Sequence, residues 1–496
     1  MTNVIAGHDG AVTHGISFPA RPDGRRSTTE VGREVVAAAL RAVDPAGALG
    51  VEQETAWRSG YVVHFRRLVE AGLATPEAWV RIARDGLDAV HQRMVVADDG
   101  DGRDTAAADR PLASLLDAAP TRVLHTEEVR GEGAAATELV VPYRGRELRG
   151  DALRDQLADW VVRGVMEPSA AEAVAEVAAH PGWLRAEGHT VVVLGAGAEM
   201  GPLAPLLRWG ATVAAVDLPR EAVWERVRAT ATRAAGRLLV PVDDAGVTGA
   251  DLLAEVPEVA TWVEGLDGRL VVGNYLYADG ATHVRVTVAA DVLGARLVRN
   301  RPDTALAFLA TPTDVFAVPR AAVEASTDAY VERGRTAKVV GRPLRWVSRG
   351  RLLHRAYPPA ADPGIGDSLV PVQGPNYALA KRIQRWRATT ALADGGLVSF
   401  HVAPSTRTRS VLKNRALAAA FAGAHRFGVE VFEPATANTL MAALLVRDLA
   451  RPPAPRAHPW QDEAAAAVHG GLWRAAYEPR SALGLAAVLG YGSARG

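Results

Sequence analysis

The stretch "TVVVLGAGAEMG", Thr190–Gly201, decides how the chain is read. Val191 to Leu194 form a short apolar, β-branched run, which suits a strand buried on both faces. Glycines follow at 195, 197 and 201, and "PLAPLLRWG" (202–210) has the length of a helix. Glycines in such a turn permit a close backbone approach, and the amides that open a helix can receive an anion. Outward from this point, "ATVAAVDL" (211–218) is a second strand, ending at Asp217. "RLLVPVDD" (237–244), "RLVVGNY" (269–275), "TALAFLAT" (304–311) and "GGLVSFHVAP" (395–404) are four more. Helical segments separate them, and strands alternating with helices predict a parallel sheet covered on both faces. The expected fold class is α/β, a Rossmann-like doubly wound sheet preceded by a mostly helical N-terminal domain.

Residues 1–185 are that helical domain. "TAWRSGYVVHFRRLVEAG" (55–72) and "TPEAWVRIARDGLDAVHQRM" (75–94) repeat apolar residues at three and four spacing, and Thr75-Pro76 marks a helix start. "ADDGDGRDTAAADR" (97–110) reads as an exposed loop and "TELVVPYRGREL" (137–148) as a short hairpin, after which the helical period resumes. Trp57, Trp79 and Trp160 sit among apolar residues at helical spacing and are expected in the core. Residues 186–455 carry the nucleotide-type sheet, interrupted by an Arg- and Pro-rich insertion near 320–372. "RPPAPRAHP" (451–459) is a stiff linker, and 456–496 a tail that packs back on the body.

The bulk numbers exclude several classes. A chain of 496 residues, 48% hydrophobic and 23% charged, is globular and long enough for two or three domains. Its 56 acids balance 56 bases, so no nucleic-acid partner or anionic membrane surface is expected. The absence of cysteine removes disulfides, thiolate metal sites and thiol nucleophiles. No apolar run approaches the ~18 residues of a membrane span, and the N-terminus lacks signal-peptide character. A cytoplasmic protein is the expectation. His8 and His14 lie in "HDGAVTH", but no HExxH or comparable spacing accompanies the thirteen histidines, and no metal is expected.

"NYALAK", Asn376–Lys381, carries the chemistry. Only three lysines, at 338, 381 and 413, stand among the 56 basic residues, so nearly every other cation is arginine. With nine tyrosines, a chance Tyr-x-x-x-Lys is expected roughly 0.05 times. On a helix, Tyr377 and Lys381 share a face one turn apart. A free phenol titrates near 10 and is a poor acid or base at neutral pH, and a neighbouring ammonium brings it into range.

With these residues in order, the chain resembles the short-chain dehydrogenase/reductase superfamily over about residues 188–450. Gly195, Gly197 and Gly201 match its cofactor loop, Asp217 its ribose-binding acid and Asp243 the acid near the adenine. Asn274 falls where the family has Asn-Ala-Gly, and Tyr377 and Lys381 match the catalytic pair. "VAPSTRT" (402–408), with Pro404 and Thr406, is similar to the segment that closes over the nicotinamide. The resemblance implies NAD as cofactor, with NADP as the alternate, and hydride exchange with a carbonyl or alcohol of a small-molecule substrate. It implies that Tyr377 passes the proton while Lys381 lowers its pKa and holds the ribose. The family's serine at the end of strand five is missing, and Thr311 or Thr313 of "FLATPTDVF" would serve, although the insertion separates them from Tyr377.

Other readings stay open. The same glycine loop and acid suit a methyltransferase that uses S-adenosylmethionine, which gives Tyr377 and Lys381 no role. A dinucleotide-binding sensor or scaffold that lost the chemistry is the non-enzyme alternative. His401 could face the cofactor, and Arg220 could soften a preference for NAD. The stretch "RGRTAKVVGRPLRWVSRGRLLHR" (333–355) could clamp an anionic substrate or pair identical subunits.

Overall fold

The computed structural model describes residues 14–97, 109–333, 346 and 352–491. Most of the acidic loop, His8 and nearly all of the Arg-rich stretch lie outside the described residues.

A seven-stranded sheet organises the fold. Its strands are β1 (Leu124–Arg130), β2 (His189–Leu194), β3 (Thr212–Val216), β4 (Arg237–Asp243), β5 (Arg269–Asn274), β6 (Ala305–Ala310) and β9 (Val398–Val402). Their spatial order is β9-β6-β5-β2-β3-β4-β1, parallel except for β1, which runs antiparallel to β4. The six strands read from the sequence thus form the doubly wound order, reversing between β2 and β5. Alternate residues feed two cores. Val191, Val193, Val213, Ala215 and Val271 pack on one face, and Val192, Leu194, Ala214, Val216 and Val272 on the other.

The second of these faces carries two helical layers. Next to the sheet lie α6 (Gly280–Asn300) and α7 (Gly374–Ala393), and beyond them α1 (Thr28–Arg41), α2 (Trp57–Gly72) and α3 (Pro76–Arg93). Thr75 caps α3 as its sequence predicts, its Oγ1 accepting from the Ala78 amide at 3.1 Å. A Cβ added at Gly86 of α3 would lie 2.5 Å from the Trp386 ring, so α3 and α7 approach closely there. On the opposite face lie α4 (Leu203–Trp209), α5 (Glu221–Thr232) and α8 (Pro434–Ala450). The hairpin at 137–148 forms, Val141–Tyr143 pairing with Arg146–Leu148.

β1 is a strand that the sequence pattern does not announce. "LHTEEVR" exposes most of its side chains at the sheet edge, and Glu127 and Glu128 pair with Arg228 and Arg237. An edge strand of this kind is charged, which discourages pairing with other chains and removes the apolar alternation that marks a strand.

The segments that flank the Arg-rich stretch meet. β7 (Val315–Val318) pairs antiparallel with β8 (Gly364–Asp367), and the Ser368 amide donates to the Asp314 carbonyl at 3.1 Å. The end of β6 and the start of α7 are thereby brought together. The tail after Pro459 rests on the same body: the Val468 amide donates to the Val402 carbonyl at 2.9 Å, and Trp473 is fully buried. Among the described residues, no helix is long and apolar enough to cross a membrane.

Candidate functional site

The carboxyl ends of the parallel strands collect the residues singled out by the sequence. Gly195 follows β2 with φ +86°, a conformation that favours glycine. A Cβ there would sit 3.1 Å from the Leu276 Cα, so the crevice where strand order reverses tolerates no side chain. The Gly197 amide donates to Asp217 Oδ2 at 2.7 Å, and the Leu218 amide to Asp217 Oδ1 at 2.8 Å. A Cβ on Gly197 would meet Val223 Cγ1 at 2.7 Å and Asp217 Oδ2 at 3.1 Å. Arg226 Nη2 donates to the Gly197 carbonyl at 2.8 Å, and Arg409 pairs with Glu199 of the same loop at 3.5 Å.

One expectation for the loop changes. α4 begins at Leu203 and spans seven residues, and the Gly201 amide donates to Asn438 Oδ1 at 3.0 Å. The loop therefore runs on to Pro202 before the helix starts, and the Gly201 amide is engaged by α8.

Across the sheet, Tyr377 in the first turn of α7 meets the end of β6. Thr311, whose Oγ1 lies 2.8 Å from Thr313 Oγ1, is near enough to the phenol to favour its ionised form. Gln373 Nε2 donates to Thr313 Oγ1 at 2.7 Å across 60 positions of sequence. The insertion therefore does not part the threonines from the tyrosine.

Lys381 lies one turn further along α7 but faces other partners. Its Nζ donates to the Leu309 carbonyl at 3.3 Å and to Gln384 Oε1 at 3.2 Å. Burial pushes the ammonium down to about 8, with Asp314 pulling the other way. Burial likewise pushes the Tyr377 phenol up to about 12, against the pull of Thr311. Desolvation is the largest influence on the phenol and sets the direction of its shift, upward. Such a group can donate a proton and holds it tightly at neutral pH.

Two aromatic neighbours of Tyr377 have no sequence signal beyond their residue type. The His283 ring of α6 stacks on Tyr377, 5.4 Å between centroids and 17° between planes. Tyr277, 53% exposed, covers both rings from the loop after β5, with its centroid 5.4 Å from that of His283. Burial pushes His283 down to about 3, and the charge of Lys381 adds to the effect.

The remaining candidates have structural partners. Asn274 ends β5, its Oδ1 accepting from the Leu276 amide at 3.3 Å. With Thr287, Asp291, Gln384 and Arg387 it borders a cavity of about 10 Å³, room for one water. Asp243, expected beside an adenine, pairs with Arg122 at 2.6 Å and accepts from the Ala245 and Val247 amides. Its carboxylate is consumed by the turn and by the segment that leads into β1. Thr406 Oγ1 donates to the Pro404 carbonyl at 2.8 Å, which braces the loop after β9. His401 Nε2 and Ser399 Oγ both bond Asp448 Oδ2, at 2.8 and 2.9 Å, on the α8 face of the sheet. Among the described residues no group of three or more His, Asp or Glu side chains is placed to hold a metal ion.

Below this site, α7 is anchored by buried charge. Arg382 and Arg385 pair with Asp314 at 3.0 and 2.7 Å, and Arg385 with Glu463 at 2.5 Å. Burial alone would raise the Asp314 pKa, and the two guanidinium groups overcome it and hold the carboxylate below its usual range.

No protein-family model matches the chain, and no curated protein sequence matches it. Among solved structures, the chain is similar to the terminal R domain from the myxalamid PKS-NRPS biosynthetic pathway, at 16% identity and a TM-score of 0.28. The match covers 51% of this chain and 61% of that one, so the chain spans about three fifths of its length.

Proposed function

We propose that the protein is an NAD(P)-dependent oxidoreductase that reduces a carbonyl of a small molecule. The observation that carries this reading is the nearness of Tyr377 to Thr311, with Gln373 of the same segment bonded to Thr313, at the sheet end that also holds the glycine loop. The residues present fit a dinucleotide. Gly197 packs against Val223 with no room for a side chain, and Asp217 holds its amide with a carboxylate suited to a ribose diol. A bound nicotinamide supplies the hydride. Tyr377, neutral at any ordinary pH, supports the reductive direction, because its phenol can give a proton to the forming alkoxide. Thr311 takes the place of the family's serine, orienting the Tyr377 hydroxyl. Lys381 supplies an ammonium behind the phenol from a helix fixed by Asp314, rather than a direct partner for it.

The test follows NADH and NADPH consumption with a panel of ketones and aldehydes. Tyr377→Phe is expected to bind cofactor like the wild type and to lose roughly 100-fold or more in turnover. Turnover at the wild-type rate would contradict the reading. A second reading, a dinucleotide sensor, is favoured by Lys381 bonding Leu309 and Gln384 rather than the phenol. It predicts cofactor binding with no turnover on any carbonyl.

A further inference from the structure

His283 is 1% exposed in the first turn of α6, and only one of its two ring nitrogens has a protein partner. Nδ1 accepts from the Ala278 amide at 3.3 Å, and a nitrogen that accepts carries no proton. The neutral ring must then hold its proton on Nε2. That Nε2–H has no partner among the described residues. A buried donor left unpaired is costly, so this one calls for a partner. Here the unpaired donor belongs to a ring laid flat on Tyr377 and covered by Tyr277.

We infer that His283 Nε2–H binds the carbonyl or alcohol oxygen of the substrate alongside Tyr377, an inference that rests on the oxidoreductase reading above. The imidazole stays neutral because burial and the Lys381 charge both oppose protonation. It therefore acts as a fixed dipole and not as an acid, a role suited to charge developing on oxygen. Tyr377, Thr311 and His283 are all neutral donors, and Lys381 is committed to Leu309 and Gln384. The substrate class that matches is an uncharged ketone or aldehyde, and not one presenting a carboxylate at this point.

The experiment uses trifluoroethanol, an alcohol too electron-poor to be oxidised readily, as the probe of the oxygen position in the NAD⁺ complex. His283→Phe keeps the stack and removes the donor, His283→Asn keeps an acceptor for Ala278 without reaching Nε2, and His283→Gln places an N–H near Nε2. All three should bind NAD⁺ as the wild type does. Trifluoroethanol affinity should fall roughly tenfold in the Phe and Asn variants and be restored to within about threefold in the Gln variant. Equal affinity in wild type, Phe and Asn would overturn the inference, as would a wild-type NAD⁺ complex that binds no trifluoroethanol. A wild type that binds no NAD⁺ would instead overturn the oxidoreductase reading on which the inference stands.

Discussion

Replacing Lys381 by methionine should make the protein more stable at neutral pH, and the size of the gain should depend on pH. The lysine titrates at about 8 in the fold against an ordinary 10.5. The folded state therefore disfavours the ammonium by about 3 kcal/mol relative to the unfolded chain. Methionine has nearly the same length and shape, so the site repacks at small cost. It leaves the Leu309 carbonyl and Gln384 Oε1 without this donor, a loss of about 1–2 kcal/mol. The net gain at pH 7 is then about 1–2 kcal/mol. Because the lysine pKa is lowered on folding, the unfolded chain binds more protons between pH 8 and 10.5, and wild-type stability rises with pH through that window. The variant lacks this group, so its advantage should shrink above pH 8 and reverse by about 1–2 kcal/mol near pH 10.5. Urea denaturation of both proteins at pH 7, 9 and 10.5, followed by tryptophan fluorescence, measures the difference. A difference that stays constant with pH would refute the reasoning, because the titration of Lys381 could then not be its source. A variant more stable and yet inactive would mark the lysine as kept for function at a cost in stability.

Two further outcomes follow from the same geometry. Asp217→Asn weakens the acceptor at the glycine loop, and should lower NAD affinity roughly tenfold while leaving NADP affinity unchanged or improved, measured by calorimetry. Equal losses for both cofactors would speak against a ribose contact. Asp314→Asn leaves Arg382 and Arg385 buried with one fewer counter-charge, and should cost about 3–5 kcal/mol in urea denaturation, whereas a change under about 1 kcal/mol would show that α7 is not held by this network.

The parallel sheet was legible because strands buried on both faces are short apolar runs, and "VVVL", "TVAAV" and "RLVV" carry that signal without help from context. β1 was not legible, since an edge strand made of His, Thr, Glu and Arg has the composition of a loop and becomes a strand only by pairing with β4. The positions of Gly195, Gly197 and Asp217 followed from local pattern. The meeting of Thr311 with Tyr377 did not, because it depends on β7 pairing with β8 across a long separation in sequence. The partners of Lys381 and the raised phenol of Tyr377 are properties of burial, which a spacing of four residues does not encode. Asp243 stands at a strand end as expected, and its pairing with Arg122, which arrives from a distant segment, has no local signal. His283, in "GATHVRV", stands in no motif, and only its stacking and its unpaired nitrogen distinguish it.

Calorimetric titration of the wild type and Gly197→Trp with NAD, NADP and S-adenosylmethionine decides whether the glycine loop holds a nicotinamide dinucleotide. A Cβ at position 197 already collides with Val223 and Asp217, and an indole there forces the glycine loop out of its place. The account predicts that the wild type binds a nicotinamide dinucleotide and that the variant, still folded by circular dichroism, does not. Binding of S-adenosylmethionine alone, or dinucleotide binding that survives the tryptophan, would contradict it.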